Sequence, residues 1–141
     1  MRFLKISLLF FSISVFSQND LSTPFERGNG NQSTTYDECI AFYEKLDESF
    51  ANIQMIHKGT TDSGKPLHVV LFSSEGKFDF DEYFTKNKAV ILINNGIHAG
   101  EPDGIDATMM LMRDLAMGKI KTAKNTLIAA IPVYSVGGML N

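Results

Sequence analysis

Apolar residues recur at helical spacing over residues 36–50, where Tyr36, Ile40, Tyr43, Leu46 and Phe50 make one face. Asp37, Glu44, Lys45, Asp47 and Glu48 fall mostly on the other side. Thr35 with Glu38 three residues later is a capping box, which satisfies two orphan backbone donors at a helix start. The pattern predicts a helix whose aromatic stripe is core packing rather than a set of ligands. The period then changes. Residues 53–58 and 67–72 read as strands, separated by Gly59-Thr60-Thr61-Asp62-Ser63-Gly64-Lys65-Pro66, a run dense in turn formers, so a hairpin is expected.

Residues 73–88 read as a connection anchored to the core by Phe78, Phe80, Tyr83 and Phe84. Residues 89–94 form a continuous apolar run with β-branched members, which suits a central strand buried on both faces. A loop at 95–100 leads to a helix at about 102–117. Pro102 fits its first turn, Gly118 its C′ position, and Ile105, Met109, Met112 and Ala116 its inward face. Residues 126–133 read as a further buried strand interrupted by Pro132, and Val136-Gly137-Gly138 as a loop. Two buried strands joined by a helix imply a right-handed parallel crossover. With the hairpin in front, the fold class is α/β: a mixed sheet with helices on both faces.

Length and composition fit one domain with a core: 141 residues, 44% hydrophobic and 21% charged. The net charge of −3 and three unclustered arginines (Arg2, Arg27, Arg113) leave no nucleic-acid footprint. A single cysteine, Cys39, excludes an internal disulfide and a cysteine-based zinc knuckle; it reads as a small apolar filler on the first helix.

The N-terminus follows a signal-peptide pattern: basic Met1 to Lys5, apolar residues 6–16, and small residues Val15 and Ser17 before Gln18. An uncleaved anchor is the other reading, although the run is shorter than the roughly 20 residues a span requires. Cleavage after Ser17 implies a secreted or periplasmic protein with no membrane span. It removes two of the 13 basic residues, and 11 against 16 acidic gives a net charge of −5. Residues 18–33 read as a leader or surface loop, with a glycosylation sequon at Asn31-Gln32-Ser33 that is frequent by chance. Residues 34–141 are the domain.

The candidate chemistry follows the strand at 89–94. Ligands in open α/β sheets bind beyond the carboxyl ends of the strands. His98 and Glu101 stand there, three apart, with Gly96 and Gly100 allowing tight turns and Asn94, Asn95 and Asp103 adding polar groups. An imidazole and a carboxylate so spaced can both reach one metal ion, and zinc takes nitrogen and oxygen ligands. A carboxylate at a helix N-terminus is also favoured by the macrodipole. The bland reading is a loop histidine beside an N-terminal Glu cap. A bare His-x-x-Glu is common, and here only the strand before it, the glycines around it and the helix after it add weight.

The segment Asn94-Asn95-Gly96-Ile97-His98-Ala99-Gly100-Glu101-Pro102-Asp103-Gly104 resembles the first zinc motif of the carboxypeptidase A-like metallopeptidases. The helix at 36–50, the hairpin with Gly59, Gly64, Lys65 and Pro66, and Ile131-Pro132-Val133 followed by Gly137-Gly138 extend the similarity over residues 35–141. The resemblance implies zinc as cofactor, with His98 and Glu101 as two of its ligands, and a peptide or protein substrate. Members remove C-terminal residues by metal-activated water, and some act as endopeptidases or as amidases on cell-wall peptides. Many carry Arg before the ligand Glu, where this chain has Gly100.

The resemblance also implies parts that lie downstream in the family: a third His ligand, a general-base Glu and arginines for the substrate carboxylate. No His follows His98, Asp114 is the last acidic residue and Arg113 the last arginine. His57 and His68 lie upstream in the hairpin and read as structural strand residues. The chain is therefore expected to hold no complete catalytic set and to be an incomplete, C-terminally truncated zinc-carboxypeptidase-like domain. The expectation is little activity alone, an exposed sheet edge, and strands 89–94 and 126–133 short of cover. Two other readings stay open: a zinc amidohydrolase acting on acylamino acids, and a secreted non-catalytic binding module.

Overall fold

The computed structural model describes residues 20–86 and 88–140; the signal-peptide pattern at 1–17 and its cut site lie outside the described residues. The elements run α1 (Pro24–Arg27), α2 (Tyr36–Ser49), β1 (Ile53–Thr60), β2 (Pro66–Ser73), α3 (Phe80–Thr85), β3 (Ala89–Asn94), α4 (Asp103–Ala116), β4 (Thr126–Ile131) and α5 (Val136–Leu140). The four strands make one mixed sheet in the order β1-β2-β4-β3. β1 and β2 form the expected antiparallel hairpin, β2 pairs antiparallel with β4, and β3 pairs parallel with β4. The β3-α4-β4 unit is thus the parallel crossover that the apolar runs imply.

Alternation along the strands builds two cores. Val70, Phe72, Ile128 and Ala130 face one way and pack with Tyr36, Cys39, Tyr43 and Leu46 of α2 and Ile105, Met109 and Met112 of α4. Leu71, Leu127 and Ala129 face the other way onto Tyr83 of α3, with Phe78, Phe80 and Val90 around them. Helices therefore cover both faces. The capping box of α2 forms as read, with Thr35 Oγ1 accepting from the Glu38 N–H and the Glu38 carboxylate accepting from the Thr35 N–H. Its buried face includes Phe42 and Cys39 beside Tyr36, Tyr43 and Leu46, while Ile40 is only partly buried. Cys39 is fully buried, and burial, aided by the charge of Asp106, pushes its thiol up to about 12.

Several segments depart from the sequence reading. The connection at 73–88 holds a helix, α3, capped by Asp79, whose carboxylate accepts from the Asp81 and Glu82 N–H groups. Residues 136–138 open the short helix α5 instead of looping. The strand at 89–94 lies at an edge of the sheet rather than at its centre, because β4 inserts between it and β2. Leu92 is 63% exposed and Ile91 47% exposed, on opposite faces of β3. The expected shortage of cover holds for β3 but not for β4, in which Thr126 to Ala130 are all buried.

From Ala89 to Asn94 this edge carries no charge, proline or bulge of the kind that discourages pairing with another chain. Leu92→Lys is expected to leave the circular dichroism spectrum unchanged and to reduce light scattering from concentrated samples. Equal scattering by the two proteins would show that β3 does not drive association.

Within the stretch read as a leader or surface loop, residues 24–27 make one helical turn with its own capping box, Thr23 with Glu26. This turn is tied to α4. Arg113, 9% exposed, donates to the Glu26 carboxylate and to the Leu21 carbonyl, and its Nε donates to Asp114. Further along, the Asp106 carboxylate accepts from the Thr34 N–H at 3.1 Å.

Candidate metal centre

His98 and Glu101 lie where β3 hands over to α4. The loop between is held by its neighbour across the sheet. The Asn95 N–H donates to the Ile131 carbonyl (3.2 Å), the Tyr134 N–H to the Asn95 carbonyl (2.9 Å) and the Ser135 N–H to the Gly96 carbonyl (2.8 Å). The segments that follow the two parallel strands are thus zipped together beyond the strand ends. Gly96 has φ +58, and a side chain there would press on Ile105 and Val133 at 3.2 and 3.3 Å. Gly138 lets α5 approach the His98 loop, since an added Cβ would sit 2.8 Å from Ser135 Oγ and 3.1 Å from Ala99 Cβ.

The two side chains meet: His98 Nδ1 lies 3.0 Å from Glu101 Oε2. Both are 67% exposed, so the pair is screened by water and adds little to stability, about 0–1 kcal/mol. Their placement at the rim of a cleft matters more. That cleft, about 420 Å³, is lined by His98 and Glu101 together with Thr35, Tyr36, Ser135 and Met139. Asn95, 6% exposed, ties the start of the loop to α4: its Oδ1 accepts from Thr108 Oγ1 at 3.2 Å, while its Nδ2 is buried with no partner among the described residues.

The donor set suits a hard or borderline divalent cation, one imidazole nitrogen and one carboxylate converging at an open position. Among the described residues no group of three His, Cys, Asp or Glu side chains gathers to hold a metal. The structure therefore brings together the two candidates from the sequence and no third. His57 and His68 stand on the hairpin, in β1 and β2, and not in this cleft. Sequence reasoning did not find the cleft walls from residues 34–36 and 135–140. They come from remote stretches, and nothing in their spacing ties them to His98.

The sheet order and the parallel crossover define a carboxypeptidase fold, as the solved structures show. Carboxypeptidase A from Helicoverpa armigera superposes with a TM-score of 0.66 at 19% identity, over 77% of this chain and 26% of that one. Bovine thrombin-activatable fibrinolysis inhibitor, solved with tick carboxypeptidase inhibitor, gives 0.61 at 22% identity, over 77% of this chain and 33% of that one. A further structure of thrombin-activatable fibrinolysis inhibitor gives 0.60 at 21% identity, over 87% and 30% respectively. The family model for zinc carboxypeptidases matches residues 39–133, and this chain belongs to that family. It spans about a quarter to a third of the length of these solved relatives. No curated protein sequence matches it.

Proposed function

We propose that this chain carries part of the active site of a zinc-dependent peptidase that hydrolyses C-terminal peptide bonds, with His98 and Glu101 as two zinc ligands. The observation that carries the reading is their convergence to 3.0 Å at the rim of a cleft beyond the parallel strands. Zinc bound there supplies Lewis acidity toward a scissile carbonyl and lowers the pKa of a bound water. The protein's part is to hold the two donors. The loop is pinned by the hydrogen bonds of Asn95 and Gly96 to the segment after β4, and Glu101 opens the approach to α4. Tyr36 and Ser135 offer the cleft an aromatic edge and a hydroxyl that suit a peptide.

A catalytic zinc takes three protein ligands and one open position. With two donors, this chain by itself binds zinc weakly and turns over little or no peptide. Residues 1–17 act as a cleaved signal peptide, 18–33 as a leader and 34–141 as the N-terminal part of the catalytic domain of a secreted or periplasmic protein.

Zinc titration calorimetry on the 141-residue chain, beside a His98→Ala, Glu101→Ala double variant, tests the ligand assignment. Saturable binding by the native chain, reduced at least about tenfold in the variant, is expected. Equal binding by both proteins would remove His98 and Glu101 from the metal site. A binding module would instead hold peptide with no dependence on zinc.

A further inference from the structure

The register of the hairpin sets His57 of β1 directly opposite His68 of β2. Their ring centroids are 5.8 Å apart, tilted by 52°. A zinc-to-nitrogen distance of about 2.0–2.1 Å puts the centroids of two imidazoles on one ion roughly 5–6 Å apart. The observed spacing lies within that range. Two neighbouring residues on different strands thus hold their rings at a spacing that fits a shared ion.

Each ring is prepared differently. The pairing slips between His57 and Gly59, so β1 carries a bulge there, and Gly59 takes φ +149, which only glycine adopts freely. The bulge brings the Gly59 carbonyl to 2.6 Å from His57 Nε2. A carbonyl only accepts, so Nε2 carries the proton, and in the neutral ring Nδ1 is left with a free lone pair. A metal-binding histidine is commonly oriented in just this way, its second nitrogen donating to a backbone carbonyl. His68 is half-buried, and its Nδ1 is shut from water without a hydrogen-bond partner among the described residues. A buried polar atom left so requires an explanation.

The surroundings favour a neutral, ligand-competent His68. Burial holds its imidazole below the usual range, the neighbouring His57 adds to this, and Glu44 of α2 opposes it. Glu44 also supplies negative charge on the side from which α2 packs. The pair lies outside the cleft of His98 and Glu101.

We propose that His57 and His68 chelate a late first-row divalent cation (copper, nickel or zinc) at a second site on the hairpin. Such ions favour imidazole nitrogen, and copper binds most tightly of the three. With two protein ligands the site is an exchangeable one, its remaining positions filled by water. Holding the two strands by a shared ion also reinforces β1, an outer strand of the sheet. The site does not depend on the proposed peptidase function.

The test is a copper titration of the full chain carrying His98→Ala and Glu101→Ala, which removes the other candidate site. Electron paramagnetic resonance reads the nitrogen ligands. One saturable copper per chain with two imidazole nitrogens is expected. His57→Asn and His68→Asn should each weaken it at least about tenfold, and the pair together no more than either alone, the non-additivity of a shared ion. Two independent histidines would instead give additive losses and one nitrogen per copper, overturning the proposal. So would a folded protein that binds no copper saturably. His57 is exposed, so His57→Asn is expected to fold, and retention of tight copper in that variant alone would be decisive against the site.

Discussion

Leu46→Ala lowers the stability of the folded chain by about 3 kcal/mol, within the range of buried leucine truncations. Leu46 is fully buried on α2, and its cluster draws on α2, α4 and the sheet. Walls from three elements cannot all close on the space that a missing isobutyl group leaves, so most of the cavity cost remains. A domain of this size has roughly 5–15 kcal/mol in total, so the loss is a large fraction of it. Urea denaturation followed by circular dichroism measures the effect. Ile40→Ala, on the same helix but only partly buried, is the comparison and should cost clearly less. A loss at Leu46 no greater than at Ile40 would contradict the packing of α2 on the sheet.

Arg113→Met destabilises by about 2 kcal/mol near neutral pH. Removing one partner of a buried ion pair costs about 3–5 kcal/mol, and the value is reduced here because the Glu26 side chain is 33% exposed. The methionine preserves apolar bulk but abandons Glu26, Asp114 and the Leu21 carbonyl. Hydrogen bonding from Arg113 is the main cause that holds the carboxyls of Glu26 and Asp114 below their ordinary values of 4.5 and 3.8. Their folded values are depressed, so the stability they contribute is present above those ordinary values. It is lost as pH falls through the lower folded ones. The native chain should therefore shed this increment below about pH 4.5, whereas Arg113→Met has little of it to lose. Denaturation midpoints measured from pH 7 to pH 3 should converge for the two proteins, and a constant gap would show that the ion pair is not the source.

Much of the fold is legible because local signals agree with it. The Thr35–Glu38 capping box, the stripe of α2 and the turn-rich residues 59–66 each describe a structure that a short segment decides by itself. His98 and Glu101 are legible for the same reason, since three residues and two glycines set their meeting. What is hidden depends on distant partners. The run at 89–94 looks the same whether a strand has neighbours on both sides or on one, so its edge position follows only from the placement of β4. Helix α3 is masked by aromatic residues that serve equally as loop anchors, although Asp79 ahead of Asp81 and Glu82 is a readable cap. Gly137 and Gly138 argue locally for a loop, whereas the close approach of Ser135 and Ala99 favours glycine at 138 within α5. The pairing of His57 with His68 depends on a bulge, and a one-residue slip would have turned the two rings to opposite faces.

The order β1-β2-β4-β3 has a consequence for biosynthesis. The strand that joins the hairpin to β3, β4, is the last of the four to leave the ribosome, and it ends at Ile131. Until it arrives, the hairpin and β3 share no hydrogen bonds, and Leu71 and Val90 wait on opposite sides of an empty slot. Sheet assembly is therefore a late, non-local closure rather than a progressive zipping, and contacts of this kind slow folding. The nascent chain must carry the uncharged β3 unpaired through that interval, when capture by a neighbouring copy competes with insertion of its own strand.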